Sequence, residues 1–392
     1  MNIGLFNENF PPIYDGVSIT VNNYAYWLCQ KGHNACVVTP NVPERDDKAF
    51  SFPIYRYFSL PIWGRNPYRL GIPFFDRHLL PQLENLQFDI IHAHTPFSSG
   101  NLALKLSKEK NIPIVATFHS KYKTDIERQA PFRFITNHIV KGIVSFFNQV
   151  DEVWIPQACV EQTLREYGYH GPVYIMKNGS DFCNLNVPLL RSAGRSELGV
   201  RDTDTVLLFV GQHIWEKNIG LILKSLSILK DLPFRLVTVG CGYAFTDIRK
   251  MAEELGIGNK VQMLGQISDR EQLQRIYAAA DLFLFPSLYD TFGLVVREAA
   301  ALNVPSLLLR GSDASDSITD GVNGFLSDNT PQSFAYTIKY LLENPEATRN
   351  AGINASKTLP STWENIMNDV VERYSFIIEE KRRKTLLASI TK

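Results

Sequence analysis

Short apolar runs of strand length recur along the first half of the chain, and polar residues follow them. The runs include Ile3 to Phe6, Phe88 to Phe97 and Ile112 to Tyr122, and the last two end in polar residues. Segments with helical spacing lie between them, such as residues 18 to 31. Strands that alternate with helices predict βαβ units and a mostly parallel sheet. We therefore expect the polar residues at the carboxyl edge of that sheet, where open α/β folds bind ligands.

The alternation starts again at Val206 to Gly211, a second strand that runs into a glycine. The preceding residues 182 to 200 contain Pro188 and Gly194, have little periodicity and are interpreted as a linker. A chain of 392 residues is also too long for one ordinary hydrophobic core. The sequence therefore predicts two α/β domains that repeat one architecture.

Composition narrows the class of protein. Lys and Arg together equal Asp and Glu, so the formal net charge is zero and gives no overall signal for nucleic acid. The five cysteines form no CxxC pair, which argues against a disulfide framework or a zinc site. No apolar segment reaches the roughly 18 residues of a membrane-spanning helix. We expect a cytoplasmic protein, either free or peripheral to the cytoplasmic face of a membrane.

One stretch of the second half carries the most specific signal. The apolar run Asp281 to Phe285 precedes a short loop, and an Ala- and Leu-rich helical segment follows. The free N–H groups and the dipole of such a helix favour a phosphate at its N-terminus, and Gly293 allows close approach of the backbone. Asp290 lies in the loop and Glu298 within the helix, so two carboxylates flank one predicted anion site.

This pattern resembles the Glu-x7-Glu signature of the retaining glycosyltransferases of family 4, whose GT-B fold has two facing Rossmann-like domains and a deep cleft between them. The resemblance implies that Asp290 contacts hydroxyls of the transferred sugar, although the family usually has Glu there. It implies that the backbone of Phe292, Gly293 and Leu294 meets the donor diphosphate. Glu298 would then hold the ribose of the nucleotide.

Other donor contacts follow from the same resemblance. Lys217 matches a lysine that neutralises the diphosphate, whereas Gln212 replaces the arginine of the family, so His213 or another cation is expected to assist. The backbone around Gln266 and Ile267 would frame the base.

In the N-terminal domain, Gly16 matches a glycine of the family loop that lies near the donor phosphates. Its neighbour Asp15 would repel a phosphate unless its side chain turns away. A plain Pro-Gly turn is the alternative interpretation of this loop.

Polar groups that end two N-terminal strands are predicted to line the acceptor side. His119 of Thr-Phe-His matches a family histidine beside the transferred sugar, which makes it a catalytic candidate together with Asp290 and Lys217. His94, Lys121 and Tyr122 are the predicted acceptor-side residues. His92 and His94 share a strand face, so a metal site is possible, but the missing third ligand favours a lining role.

Two further segments bear on the acceptor. Residues 105 to 148 hold eight basic residues against three acidic ones, and an apolar stripe runs through them at Phe132, Ile135, Ile139, Ile143 and Phe147. Such a stripe either lies on an anionic membrane or faces the core. Residues 50 to 80, with Trp63, suit either a loop that borders an acceptor site or a packed insertion. The motifs His-Thr-Pro-Phe and Thr-Phe-His-Ser-Lys-Tyr resemble the branch that glycosylates diacylglycerol-type lipids.

The resemblance covers nearly the whole chain and yields a working hypothesis. The expected fold is α/β of the GT-B type, with residues 1–184 plus about 370–392 binding the acceptor and 185–369 binding the nucleotide sugar. We expect retaining, metal-independent transfer of a hexose from a UDP-hexose to a membrane lipid, without a cofactor. A soluble or polysaccharide-linked sugar acceptor is the alternative. A non-catalytic binding protein is a third hypothesis, since Asp15, Gln212 and Asp290 depart from the family pattern.

Overall fold

The computed structural model describes residues 1–62, 68–129 and 133–390. The chain forms two compact units, Met1–Gly179 with Trp363–Lys392 and Ser180–Thr362. These boundaries lie a few residues before those expected from the sequence. The reason is that Ser180 already belongs to the second unit, where its backbone N–H donates to the Ser361 carbonyl at 2.8 Å. The cleft between facing domains stays a prediction.

The first unit is built on a parallel sheet with helices on both faces. Its strands are β1 (Asn2–Phe6), β2 (Asn34–Pro40), β3 (Ile54–Tyr57), β4 (Ser59–Pro61), β5 (Arg69–Gly71), β6 (Ile90–Ala93), β7 (Ile114–Thr117), β8 (Glu152–Ile155) and β9 (Val173–Ile175). Its first helices are α1 (Gly16–Gln30), α2 (Leu79–Asn85), α3 (Ser98–Lys110), α4 (Tyr122–Gln129), α5 (Arg133–Phe147) and α6 (Val160–Tyr167).

Seven of these strands pair in parallel in the order β3-β2-β1-β6-β7-β8-β9. Strand β1 is buried from both faces, because Ile3 and Leu5 pack into one apolar core and Phe6 packs into another. This explains why the strands are continuous apolar runs rather than alternating ones. Strand order reverses between β1 and β6, where an open parallel sheet leaves a crevice.

The second unit repeats the plan. Its helices are α7 (Val187–Leu198), α8 (Ile219–Ile228), α9 (Phe245–Glu254), α10 (Arg270–Ala279), α11 (Leu294–Ala301), α12 (Pro331–Glu343) and α13 (Pro345–Thr358). Its strands are β10 (Val206–Val210), β11 (Arg235–Val239), β12 (Val261–Met263), β13 (Leu282–Phe285), β14 (Ser306–Leu309) and β15 (Phe325–Ser327). They pair in parallel in the order β12-β11-β10-β13-β14-β15, which is the Rossmann order. The prediction of two Rossmann-like α/β domains is confirmed. The interpretation of residues 182 to 200 as a linker is wrong, because Val187–Leu198 form α7, whose Gly194 and Leu198 are buried.

The last helix, α14 (Trp363–Ile390), returns to the first unit, as predicted. Trp363, Met367, Val370 and Tyr374 pack with residues of α1 in the core on one face of the sheet. The Tyr374 hydroxyl also lies 2.6 Å from Nδ1 of His92 on β6. This helix is thus an integral part of the N-terminal core.

The C-terminal part of the apolar stripe in the basic segment 105–148 faces the protein core. Ile143 and Phe147 of α5 are buried in the core, and Ile139 packs against that core. The stripe faces the protein because the sheet of the first unit offers an apolar surface to cover. Phe132, the first member of the stripe, lies outside the described residues.

Residues 50 to 80 contain β3 and a small antiparallel hairpin of β4 and β5, and Trp63 lies outside the described residues. Leu60 and Leu70 face each other across the hairpin, and both are about half exposed. Phe58, Phe74 and Phe75 are exposed beside it, which leaves an apolar surface in this part of the unit. Within the described ranges, no helix is long and apolar enough to cross a membrane.

Candidate active site

The signature loop of the second unit lies at the reversal of strand order. Strands β10 and β13 are neighbours there, and the loops that follow them carry Lys217 and Asp290. In an open α/β sheet this is the position where ligands bind, because the loops after the two strands diverge to opposite faces. The strand, loop and helix predicted from the sequence are thus found, and topology adds Lys217 to them.

Lys217 and Asp290 form a direct ion pair. The Lys217 ammonium nitrogen lies 2.5 Å from Oδ1 of Asp290, and the two side chains are 11% and 21% exposed. The same ammonium lies 5.2 Å from the centre of the Tyr289 ring. The second carboxylate oxygen of Asp290 is buried and has no hydrogen-bond partner among the described residues. A buried acceptor without a hydrogen-bond partner, next to a cation, is typical of a site that binds a polar ligand.

The N-terminus of α11 adds backbone donors to this pair. Gly293 precedes the helix with a φ of 68°, and no side chain of the described residues caps that end. The Val296 amide already donates to the Gly293 carbonyl oxygen at 3.0 Å. The predicted diphosphate contact of Phe292, Gly293 and Leu294 would therefore use the amides that precede Val296.

Arg297 binds the loop that precedes α11, a role that was not predicted from the sequence. Its guanidinium is buried, donates to the carbonyl oxygen of Phe292 and lies 4.0 Å from the centre of the Phe292 ring. It also donates to the hydroxyl of Ser317 at 2.9 Å. These bonds hold the carbonyl groups of the loop inward, so the amides of the loop are held in a fixed orientation. The sequence contains one signal for this role, which is a charged residue directly before Glu298 in a short, mostly apolar helix.

Glu298 lies in α11 with a nearly buried carboxylate. Its Oε1 accepts from Arg270 at 2.7 Å and its Oε2 accepts from the hydroxyl of Tyr277 at 2.9 Å. Both donors come from α10, and neither was predicted from the sequence. Asp290 and Glu298 lie in the loop and the helix that follow one strand, β13, so the two predicted acids belong to one strand-loop-helix unit.

The remaining donor-side predictions fall on the same edge of the sheet. Gln212 follows β10 directly, and Gln266 and Ile267 follow β12. The amide oxygen of Gln266 contacts the thiol of Cys241 at 3.2 Å, and Ile267 packs against the core.

His213 does not supply the second cation that we expected in place of the family arginine. The ring is fully buried and contacts the Thr238 hydroxyl at 3.0 Å. Burial lowers the pKa of His213 to about 4, so the ring is neutral near pH 7. The expectation that His213 assists was wrong, because sequence alone does not reveal that the ring is buried. The alternative, that another cation assists, stays a prediction.

In the first unit, Gly16 begins α1 and Asp15 caps it. The Asp15 carboxylate accepts from the Ser18 amide at 2.7 Å and from the Asn9 side chain at 3.0 Å. Burial raises the pKa of this carboxyl group. The side chain of Asp15 thus turns back onto its own helix, which is the arrangement needed for Gly16 to approach an anion.

Three histidines form one cluster at the carboxyl edge of the first sheet. His94 Nδ1 lies 3.0 Å from His119 Nε2, and the His92 and His94 rings stack at 4.0 Å. His92 also contacts the Thr117 hydroxyl at 2.7 Å. His94 is fully buried whereas His119 is 9% exposed, so His94 packs against His119, and its acceptor-side role stays a prediction.

The other two predicted acceptor-side residues, Tyr122 and Lys121, also differ in exposure. Tyr122 begins α4, and its ring is buried against Phe97 and Phe118. Lys121 is partly exposed next to it. In the part of the chain that the structure covers, no group of three His, Cys, Asp or Glu residues is arranged to hold a metal ion.

The buried histidines predict a pH-dependent stability. Burial lowers the pKa of His119 to about 3 and depresses that of His92 and His94, so the unfolded chain binds protons below about pH 6.5 that the folded chain excludes. The free energy of unfolding is expected to fall as the pH drops through this range, by up to about 1.4 kcal/mol per pH unit for each histidine. Burial raises the pKa of Glu8, which opposes part of the effect.

Urea denaturation between about pH 7.5 and about pH 5 measures this dependence. His119→Asn should make it shallower, whereas the same substitution at the exposed His138 should not. A free energy of unfolding that stays constant over the range would contradict the prediction.

Comparison with known proteins shows which families and relatives the chain matches. Residues 14–182 match the family described as Glycosyltransferase Family 4, and residues 191–358 match Glycosyl transferases group 1. The chain is 28% identical to the alpha-monoglucosyldiacylglycerol synthase of Streptococcus pneumoniae, over 95% of this chain and 85% of that protein. It is 26% identical to the protein of the same name from Acholeplasma laidlawii, over 98% and 99% of the two chains.

Solved structures share the fold. HepE of Anabaena, determined in complex with UDP and glucose, superposes with a TM-score of 0.76 at 20% identity, over 96% of this chain and 99% of that one. The sucrose-phosphate synthase of Thermosynechococcus elongatus gives a TM-score of 0.78 at 20% identity, over 97% and 99%. Two matched domains, two Rossmann-like sheets and the returning last helix lead to one assignment. The chain is a glycosyltransferase that belongs to family 4 and has the GT-B fold.

Proposed function

We propose that this protein transfers a hexose from UDP-hexose to a hydroxyl group of a membrane lipid such as diacylglycerol, with retention of configuration. The observation that carries the proposal is the Lys217–Asp290 pair at the N-terminus of α11. It joins a cation, backbone amides and an unmatched carboxylate oxygen within one loop cluster. Those three groups suit a leaving diphosphate and the hydroxyls of the sugar attached to it.

The proposed chemistry is electrophilic. Lys217 and the first amides of α11 stabilise the negative charge that grows on the departing diphosphate. Asp290 accepts a hydrogen bond from a sugar hydroxyl, and Glu298 holds the ribose. Because Lys217 and the helix dipole already offset the phosphate charge, we propose that no divalent metal is required.

The names of the relatives support the acceptor, the donor and the stereochemistry. Two relatives along most of the chain are alpha-monoglucosyldiacylglycerol synthases, and HepE was determined with UDP and glucose. UDP-glucose is itself an α-glycoside, so an α-linked product implies retention. The exposed apolar surface around Leu60, Leu70 and Phe75 supports a lipid acceptor, since such a surface suits contact with a bilayer interface.

A donor and acceptor panel tests the proposal. UDP-, GDP- and ADP-hexoses are offered with diacylglycerol in anionic vesicles or with soluble sugars, with and without EDTA, and the anomer of the product is read by NMR. The expected result is α-glucosyl transfer to the lipid that EDTA does not abolish and that Glu298→Ala abolishes. Transfer to soluble sugars alone would replace the acceptor. Failure of every donor to bind would favour a non-catalytic binding protein.

A further inference from the structure

Arg270 connects two carboxylates that lie far apart in the sequence. Its guanidinium meets Asp181 in a two-bond fork at 2.9 and 2.6 Å and meets Glu298 at 2.7 Å. It also lies 4.4 Å from the centre of the Phe182 ring. A fork of this kind on one side and a single strong bond on the other hold the guanidinium in one orientation.

The position of Arg270 is unfavourable for its helix. It is the first residue of α10, where the positive end of the helix dipole repels a cation. Helix stability therefore gives no reason for an arginine there. The contact with Glu298 does give one, because Glu298 is nearly buried and its charge needs a partner.

Arg270 and Tyr277 act on Glu298 together. They stand seven residues apart, two turns along one face of α10, and each donates to a different oxygen of the carboxylate. Burial and the neighbouring carboxylate raise the pKa of Tyr277 well above its usual value, so the phenol stays a donor. An ionised carboxylate has about four acceptor positions, so two remain for a ligand.

We propose that Arg270 is a positioning residue for the donor nucleotide. It holds the Glu298 carboxylate in the orientation that accepts the ribose hydroxyls, and so it sets the preference for ribose over 2′-deoxyribose. This inference rests on the proposed function, in which Glu298 binds the ribose. A purely structural role would stabilise the second unit without changing the choice of sugar in the nucleotide.

The test compares UDP with 2′-deoxy-UDP as competitive inhibitors of hexose transfer. The wild-type protein is expected to prefer UDP by about tenfold or more, the usual effect of one hydrogen bond to a charged group. Arg270→Ala and Arg270→Lys should reduce this ratio to within about threefold of unity, while kcat at saturating donor changes less than the KM for the donor. Arg275→Ala is the matched control, because Arg275 lies on the same helix and pairs with Glu197 at 3.1 Å rather than with Glu298, and it should keep the ratio.

Three outcomes would contradict the inference. If both Arg270 variants keep the wild-type ratio and only melt earlier, Arg270 is structural and the inference is wrong. If the wild-type protein transfers hexose but does not distinguish the two nucleotides, the inference fails while the proposed function stands. If the wild-type protein binds neither nucleotide, both fail. Arg270→Lys keeps the charge, so it serves if the alanine variant does not fold.

Discussion

Lys217→Ala is expected to lower kcat/KM for the donor by about 10²- to 10³-fold, the usual effect of removing one preorganised donor from a developing anion. The ion pair with Asp290 holds the Lys217 ammonium at the loop that precedes α11. Its removal also leaves the mostly buried Asp290 carboxylate without its cation, and the other oxygen of that carboxylate has no hydrogen-bond partner among the described residues. We therefore expect a loss of about 1 to 3 kcal/mol in the free energy of unfolding as well.

Steady-state kinetics with varied donor, together with urea denaturation, measure both effects. Lys250→Ala is the control, because Lys250 is exposed on α9 and pairs with Glu254 one turn away. It should change the free energy of unfolding by no more than about 0.5 kcal/mol and leave kcat/KM unaltered. Lys217→Ala with kcat/KM within about threefold of wild type would show that this ammonium does not face the reacting phosphate.

Gly293→Ala is expected to raise the donor KM by more than tenfold, an effect of about 1.4 kcal/mol or more. Gly293 has a φ of 68°, and a Cβ atom there would lie 3.0 Å from Cβ of Ala314 and 3.3 Å from Cγ2 of Val296. The left-handed backbone alone costs an alanine about 1 to 2 kcal/mol. The crowding adds a displacement of the loop whose amides are proposed to meet the diphosphate.

Gly199→Ala separates these two contributions. Gly199 has a φ of 65° at the end of α7, and a Cβ atom there would meet open space. It should lose a similar amount of stability and keep the donor KM. Thermal melts and donor titrations of both variants make the comparison. Equal melting points together with equal KM values would exclude a special role for the 293 loop.

Local pattern was sufficient for the parts of the site that one strand, loop and helix carry. Asp290, Gly293 and Glu298 lie within a short stretch, and the apolar run before them had to be a buried strand. Their arrangement at the edge of a parallel sheet follows from strand alternation, because the carboxyl ends of parallel strands lie on one side. The same alternation predicts that Lys217 and His119 follow strand ends, and the family resemblance implies their roles.

The direction in which a side chain or an apolar stripe faces needed the tertiary structure. The stripe through Ile139, Ile143 and Phe147 has a clear helical period, yet the period does not say whether lipid or protein covers it. His213 and His94 likewise follow strands, as functional histidines do, but their rings point inward. Burial depends on what packs against an element, and that information is spread over the chain.

The sequence by itself determined the two-domain α/β plan, the family and the acid-bearing loop, because strand period, glycine positions and spacing act over a few residues. Only the tertiary structure decided the partners of those acids. Asp290 meets Lys217 across 73 positions, Glu298 meets Arg270 across 28, and His92 meets Tyr374 across 282. Such pairs form when separate strands and helices dock, so no local pattern specifies them, and they set the charge and orientation of the candidate catalytic groups.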